Sequence, residues 1–298
     1  MHVFVTGATG WIGSALVTDL LDNGHVVTGL ARSQDAAAAL RRTGALARLG
    51  DLDDLAGLRA AAEDADAVVH LANKHDWSDP AETARSERAA VATLADTLAG
   101  SDRPLAFASV LSGLVRGRPA TETDPSPALG PDSPRGGTEN LALTYAEKGV
   151  RVLAVRFAPS VHGAGDTGFV AALVAAARRH GVSGYLGEGT TTWAAVHRGD
   201  AARLIRLGLA SAPAGSILHA VAEPAVGTRA IAEAIGARLG VPVAAVPPEN
   251  AAAHFGFLGR FLGLDMAATG EHTRALLSWN PLGPNLLEDI AQGAYDHP

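Results

Sequence analysis

At 298 residues the chain is long enough to bury a large core, as one big domain or as a domain with a smaller lobe. Hydrophobic residues make up 47% and charged residues 18%, as in soluble globular enzymes, and a net charge of −7 without a basic cluster argues against nucleic acid as a partner. The absence of cysteine excludes disulfides, thiolate metal sites and a thiol nucleophile.

The chain opens on a strand, 2–6, that runs straight into glycines at positions 7, 10 and 13. Ile12, Leu16, Leu20 and Leu21 then repeat at helical spacing, which predicts a helix over 11–23. Strand, glycine turn and helix in that order place a diphosphate on a helix N-terminus. Gly7 allows the tight turn, Gly10 leaves room for the diphosphate, and Gly13 lets the helix approach the strand. Backbone of Thr9, Gly10, Trp11 and Ile12 would line that seat. No Lys-Ser/Thr pair follows, which disfavours a nucleoside triphosphate loop.

Strands follow at 25–30, 45–49, 67–71, 104–109 and 151–157, alternating with helices at 34–43, 53–62, 80–99 and 135–148. This alternation predicts an α/β fold, a doubly wound parallel sheet with helices on both faces. Residues 113–137 are rich in Gly, Pro, Ser and Asp, as in a long functional loop. A helix at 168–180, a strand near 184–187, a helix at 200–211 and a strand at 216–221 come next. Helices near 227–240, 249–263, 271–278 and 285–293 complete a small, mostly helical lobe. The expected division is 1–158 for the dinucleotide domain, with 195–221 returning to it, and 159–194 with 222–298 for the substrate lobe. The first strand begins at the N-terminus, with no room for a signal peptide, and no apolar run reaches membrane-spanning length. A cytoplasmic protein without a membrane partner is expected.

The second strand ends Gly29-Leu30-Ala31-Arg32-Ser33. NAD binders usually place an acid there for the ribose 2′-hydroxyl. Arg32 instead suits a 2′-phosphate, through a bidentate charge-assisted contact, with Ser33 adding a hydroxyl. NADP(H) is therefore expected over NAD(H), unless the strand runs on to Asp35.

Together these segments resemble the extended branch of the short-chain dehydrogenase/reductase superfamily, the epimerase/dehydratase-like group. Thr6-Gly-Ala-Thr-Gly-Trp-Ile-Gly13 is similar to its glycine motif, and Gly50-Asp51-Leu52 to its adenine-contacting segment. Val68-Val69-His70-Leu71-Ala72 resembles its fourth strand, which brings Leu71, Ala72 and Asn73 beside the cofactor. Ser109 falls where the family carries a catalytic Ser or Thr. Arg156-Phe-Ala-Pro-Ser-Val-His-Gly-Ala-Gly165 resembles the segment bordering the nicotinamide, which puts Pro159 at the cofactor and His162 in place of a family Tyr. Trp193–Ala202 resembles the family's Val-His-Val segment, with His197 and Asp200 reading as structural. The resemblance implies a Rossmann fold, a nicotinamide dinucleotide and a small-molecule substrate.

One family feature is missing. Tyr145, Tyr185 and Tyr295 are the only tyrosines, and none has a lysine four residues on. Counting back from Gly149 puts the family's Lys near Arg135 and its Tyr near Pro131. Arg135 could hold the ribose, but a guanidinium does not give up a proton. His75, in Asn73-Lys74-His75-Asp76-Trp77, is the candidate general acid, because ligands bind beyond the strand ends and imidazole titrates near neutrality. Ser109 could donate to the substrate, Lys74 could polarise a carbonyl, and His162 and Tyr185 could line the pocket. Wall, surface or core roles remain alternatives for each. No His-Glu-x-x-His pattern and no Gly-x-Ser-x-Gly elbow occurs, so no metal is expected.

Three functions remain open. They are an NADPH-dependent reductase of a C=O, C=C or C=N bond, a redox-neutral isomerase, cyclase or dehydratase, and a non-catalytic NADP(H)-binding protein. A homodimer through the helix at 80–99, with Leu94 and Leu98, is permitted.

Overall fold

The computed structural model describes residues 1–74 and 78–296. In chain order the first half reads β1 (His2–Thr6), α1 (Trp11–Asp22), β2 (Val26–Ala31), α2 (Gln34–Arg42), β3 (Leu46–Leu49), α3 (Leu55–Glu63), β4 (Ala67–His70), α4 (Pro80–Leu98), β5 (Pro104–Val110), α5 (Thr138–Leu143) and β6 (Arg151–Phe157). The second half reads β7 (Ser160–His162), α6 (Phe169–His180), β8 (Ser183–Leu186), β9 (Thr192–His197), α7 (Arg198–Ser211), β10 (Ser216–Ala220), β11 (Glu223–Gly227), α8 (Thr228–Leu239), β12 (Val243–Val246), α9 (Ala251–Phe255), α10 (Glu271–Leu277) and α11 (Leu286–Ala291).

Seven parallel strands form one sheet in the order β10-β6-β5-β4-β1-β2-β3. The order reverses beside β1, so a crevice opens above the C-terminal ends of β1 and β4, where such sheets bind ligands. The central strands are apolar on both faces because helices cover both. Val3 and Val5 pack under α1 and α7, whereas Phe4, Val68 and Phe107 pack under α3, α4 and α5. Helix α1 turns Leu16, Val17 and Leu20 to the sheet, and α7 packs beside it through Ala201, Leu204 and Ile205.

The second unit is less helical than the sequence suggests. A three-stranded sheet, β11-β9-β7, and a two-stranded one, β12-β8, sit among α6, α8, α9 and α11. Each of these strands has six residues or fewer, too short for periodicity to show. Strand β9 belongs to the small sheet, while α7 and β10 return to the large one.

Two helices differ from expectation. The one expected over 135–148 is regular only from Thr138 to Leu143. Arg135, Gly136 and Gly137 are all left-handed, with φ of 53°, 62° and 59°. Two adjacent glycines after Pro134 make that run affordable where most residues would continue a helix. The expected helix over 249–263 ends at Phe255, because Gly256 takes φ 60°. Leu94 and Leu98 are fully buried within the chain, so α4 offers no free leucine stripe for a second copy.

Candidate active site

The glycine turn has the shape of a phosphate seat. Gly7 takes φ 69°, and a Cβ there would lie 2.8 Å from the backbone nitrogen of Ala72. A Cβ on Gly13 would lie 2.0 Å from the Gly7 carbonyl oxygen, so only glycine lets α1 start this close to β1. Gly10 is the N-cap of α1, with no side-chain cap and no acid in the first turn. The leading N–H groups of the helix therefore face the crevice without a protein acceptor from a cap, as an anion seat requires. Thr9 and Gly10 are exposed, and Trp11 and Ile12 half-buried. Trp11 Nε1 donates to the Val161 carbonyl at 2.7 Å, tying the turn to β7. Pro159, just before β7, is half-buried.

Strand β2 ends at Ala31, so Asp35 lies inside α2 and not at the strand end. Arg32 is exposed, and no carboxylate pairs with it among the described residues. The Ser33 hydroxyl accepts from the Ala36 N–H at 3.2 Å and caps α2, leaving its proton available. Asp51 accepts from the N–H groups of Asp53 and Asp54 with one oxygen, which shapes the loop after β3, and Leu52 packs into the core.

At the end of β4, Thr6 Oγ1 lies 3.0 Å from His70 Nδ1 and accepts from the Ala72 N–H. Burial pushes His70 down to about 4, so it is neutral at physiological pH. Its Nε2 is buried without a partner among the described residues. The backbone of Leu71 follows, bonded to the Thr6 carbonyl.

Of the residues proposed for chemistry, Ser109, Lys74 and Arg135 have partners within the protein. Ser109 is nearly buried, and its hydroxyl donates to the Glu139 carboxylate. Glu139 in turn holds Arg156, fully buried, through Nε at 3.1 and 3.2 Å and Nη2 at 2.5 Å. Arg156 also donates to the Asp124 carbonyl at 2.8 Å and lies 3.4 Å from His219 Nε2. The proton that Ser109 was expected to offer a substrate is thus taken by a network that joins β5, α5 and β6. Lys74 binds Asp53 at 2.8 Å and lies 3.6 Å from Glu82; the Asp53 contact raises its pKa, and its charge is already neutralised. His75, Asp76 and Trp77 lie outside the described residues.

Arg135 pairs with the buried carboxylate of Glu87, which also accepts from Asn73 at 3.0 Å, and its Nη2 lies 3.3 Å from the Ala108 carbonyl. Arg135 and Asn73 therefore meet at one carboxylate at the ends of β4 and β5. His162 is fully buried in the second unit, with Nδ1 2.6 Å from Asp289, away from any open surface. Tyr185 is half-buried on β8, with the Arg229 guanidinium 5.3 Å over its ring. Tyr145 donates to Asp96 and is pushed up to about 12 by burial, and Tyr295 donates to Asp166 and is raised further by burial. Neither Tyr145 nor Tyr295 is therefore a ready acid. No group of three or more metal-ligating side chains occurs among the described residues.

Glu87 and Glu139 escaped the sequence reading. Their one signal is an acid on the inward face of a helix, Glu87 between Ala84 and Ala90, and Glu139 beside Ala142.

A model of the NAD dependent epimerase/dehydratase family matches residues 3–219. The chain belongs to this family. An uncharacterized protein of Schizosaccharomyces pombe, C2A9.02, is 42% identical over 296 residues, covering 99% of this chain and 100% of its own. A 4-hydroxy-2-methyl-3-oxo-4-farnesyl-3,4-dihydroquinoline-1-oxide ketoreductase of Stigmatella aurantiaca is 30% identical over 188 residues, 60% of this chain and 55% of that one. Among solved structures, MoeE5 in complex with UDP-glucuronic acid and NAD superposes with a TM-score of 0.75 at 25% identity, covering 99% of this chain and 98% of that one. Family membership and the doubly wound fold agree with the resemblance carried by the glycine turn and the β6–β7 segment. The uncapped start of α1 at Gly10 fits the diphosphate of a dinucleotide, and the backbone approaches at Gly7 and Gly13, which a Cβ would block, hold the turn in that shape.

Proposed function

We propose that this chain is an NADP(H)-dependent oxidoreductase that reduces a C=O, C=C or C=N bond of a small organic molecule. The observation that carries it is the pairing of the uncapped glycine seat with an unpaired Arg32 at the end of β2. Gly7, Gly10 and Gly13, with the backbone of Thr9 to Ile12, would hold the diphosphate. Arg32 and Ser33 would hold the 2′-phosphate, Asp51 and Leu52 the adenine side, and Leu71, Ala72, Asn73 and Pro159 the nicotinamide half. When bound, such a cofactor supplies the hydride, so the protein's task is positioning and protonation.

Protonation does not run through a tyrosine. Arg135, paired to Glu87, positions the nicotinamide ribose and stays charged. With Ser109 committed to Glu139 and Lys74 to Asp53, His75 or a bound water is the proton source. The ketoreductase similarity supports a reductive role. The missing Tyr-Lys pair favours a second reading, a redox-neutral isomerase, cyclase or dehydratase on the same seat.

The test is NADPH consumption against a panel of ketones, enones and imines, with products identified by mass spectrometry. Turnover of the reduced cofactor supports the reductase. Substrate conversion without net change in nicotinamide absorbance moves the protein to the second reading, and tight NADPH binding without conversion to a sensor.

A further inference from the structure

Arg135 sits in a cradle that leaves one of its nitrogens free. Glu87, buried on α4, accepts from Arg135 Nε at 3.2 Å with one carboxylate oxygen and from Nη2 with the other. The first oxygen also takes Asn73 Nδ2 at 3.0 Å, and Nη2 lies 3.3 Å from the Ala108 carbonyl. One edge of the guanidinium is thereby used. Nη1, with its two N–H donors, has no partner among the described residues and is not one of the buried atoms without a partner. It therefore meets solvent at the ends of β4 and β5, next to the crevice.

The surroundings hold that nitrogen in place. Arg135 is left-handed, with φ 53°, and its carbonyl accepts from the Thr138 hydroxyl at 2.7 Å. Arg88 of α4 donates to the Gly136 carbonyl at 2.6 Å, and a Cβ on Gly136 would lie 3.0 Å from the Ala84 carbonyl oxygen. The turn is thus pressed onto α4 beside Glu87. His70, at the end of β4, is held neutral by burial first and by the Arg135 charge second, so the Arg135–Glu87 pair turns its positive end toward that strand. A hydride that reaches a carbonyl carbon sends the C=O π pair to oxygen. An alkoxide forms there, and a fixed cation stabilises it without giving up a proton.

We propose that Arg135 is a catalytic residue whose Nη1 holds the substrate oxygen as it becomes an alkoxide, and that Glu87 is the positioning residue that aims it. The proposal rests on the reductase reading above and narrows the substrate to a carbonyl compound, because the cation repels an iminium nitrogen. One N–H of Nη1 serves the ribose and the other the substrate oxygen. The hydride comes from the reduced nicotinamide of that reading, and the alkoxide takes its proton from the source given there.

Chemical rescue tests this, because a structural role does not respond to it. Glycine suits a left-handed backbone, so Arg135→Gly removes the side chain without straining the turn. NADPH oxidation is followed with benzaldehyde, cyclohexanone and cyclohexenone, and NADP+ affinity by calorimetry. Arg135→Gly should lose about 100-fold or more in kcat, the worth of one oxyanion donor, and added methylguanidine should restore about tenfold or more of it. Arg135→Lys keeps the charge but not the fork; it should fall between, and it serves if Arg135→Gly does not fold. Glu87→Gln should lose about tenfold in kcat with KM for the carbonyl little changed, and in Glu87→Gln/Arg135→Gly methylguanidine should restore nothing. Activity of Arg135→Gly within about threefold of wild type, or a loss that methylguanidine leaves unrepaired, overturns the proposal, and equal rescue without Glu87 overturns the positioning role. If wild type reduces none of the three carbonyls, the reductase reading fails by itself. Arg135 is then judged by acetate, an oxyanion probe, titrated by calorimetry into wild type and Arg135→Gly with NADP+ present. Acetate binding lost in the variant keeps the oxyanion site; equal affinity, or no binding to wild type, overturns it.

Discussion

Replacing Glu139 by glutamine removes the charge that balances Arg156 while keeping the shape of the side chain. Arg156 is 0% exposed and Glu139 7% exposed, so water cannot take over. Glu139 accepts from Ser109 and from two nitrogens of Arg156; after the change one amide oxygen can still accept, but the other position becomes an NH2 donor facing the guanidinium, and the charge is left with neutral partners only, the amide oxygen, the Asp124 carbonyl and the His219 contact. Breaking a buried pair on one side costs about 3–5 kcal/mol, because the remaining charge is stranded. For a chain of this size that corresponds to a fall in Tm of roughly 6–10 °C. Urea unfolding followed by far-UV circular dichroism measures the loss. NADP+ affinity of the folded Glu139→Gln protein should stay near wild type, since Glu139 and Arg156 bond to Ser109, Asp124 and His219 and to no residue of the glycine turn. The double variant Glu139→Met/Arg156→Met should regain most of the lost stability, because an apolar pair of similar volume strands no charge. A Glu139→Gln loss under about 1 kcal/mol, the scale of an ordinary hydrogen bond, would refute the view that this pair locks α5 to β6.

Arg32→Asp should weaken NADP+ by about 10–100-fold, the worth of a charge-assisted contact, with NAD+ unchanged or improved; unchanged NADP+ affinity in calorimetry would remove the basis for the NADP(H) preference. His70 gives a pH dependence of stability. An unfolded chain protonates it near 6.5 and the folded chain only near 4, so between those values the unfolded state binds more protons and stability falls as pH drops. The loss from pH 7 to pH 5 should be about 2 kcal/mol, read as the difference in unfolding free energy, and His70→Asn should flatten it. An equally steep pH slope in the variant would mean that other groups carry it.

The fold was legible where residues repeat. Alternating apolar strands and helices from His2 to Phe157 mark the sheet, and the glycines at 7, 10 and 13 mark its ligand end, because steric demands this strict leave one residue type. Of the candidate site, the glycine turn was the part whose geometry was legible. Ser109 and Lys74 read as free donors because a sequence does not show that Glu139 and Asp53 wait for them across 30 and 21 residues. His162 reads as pocket lining from its place in a motif, yet Asp289, 127 residues later, draws it into the second unit. The short strands β7, β11 and β12 carry too few residues for a period to emerge.

The left-handed run at Arg135, Gly136 and Gly137 makes the loss of the Tyr-Lys pair hard to reverse. Writing Tyr at 131 and Lys at 135 would restore the letters of the family motif but not its turn of helix, since the backbone at 135 already winds the other way. A tyrosine at 131 and a lysine at 135 would therefore not share one helix face.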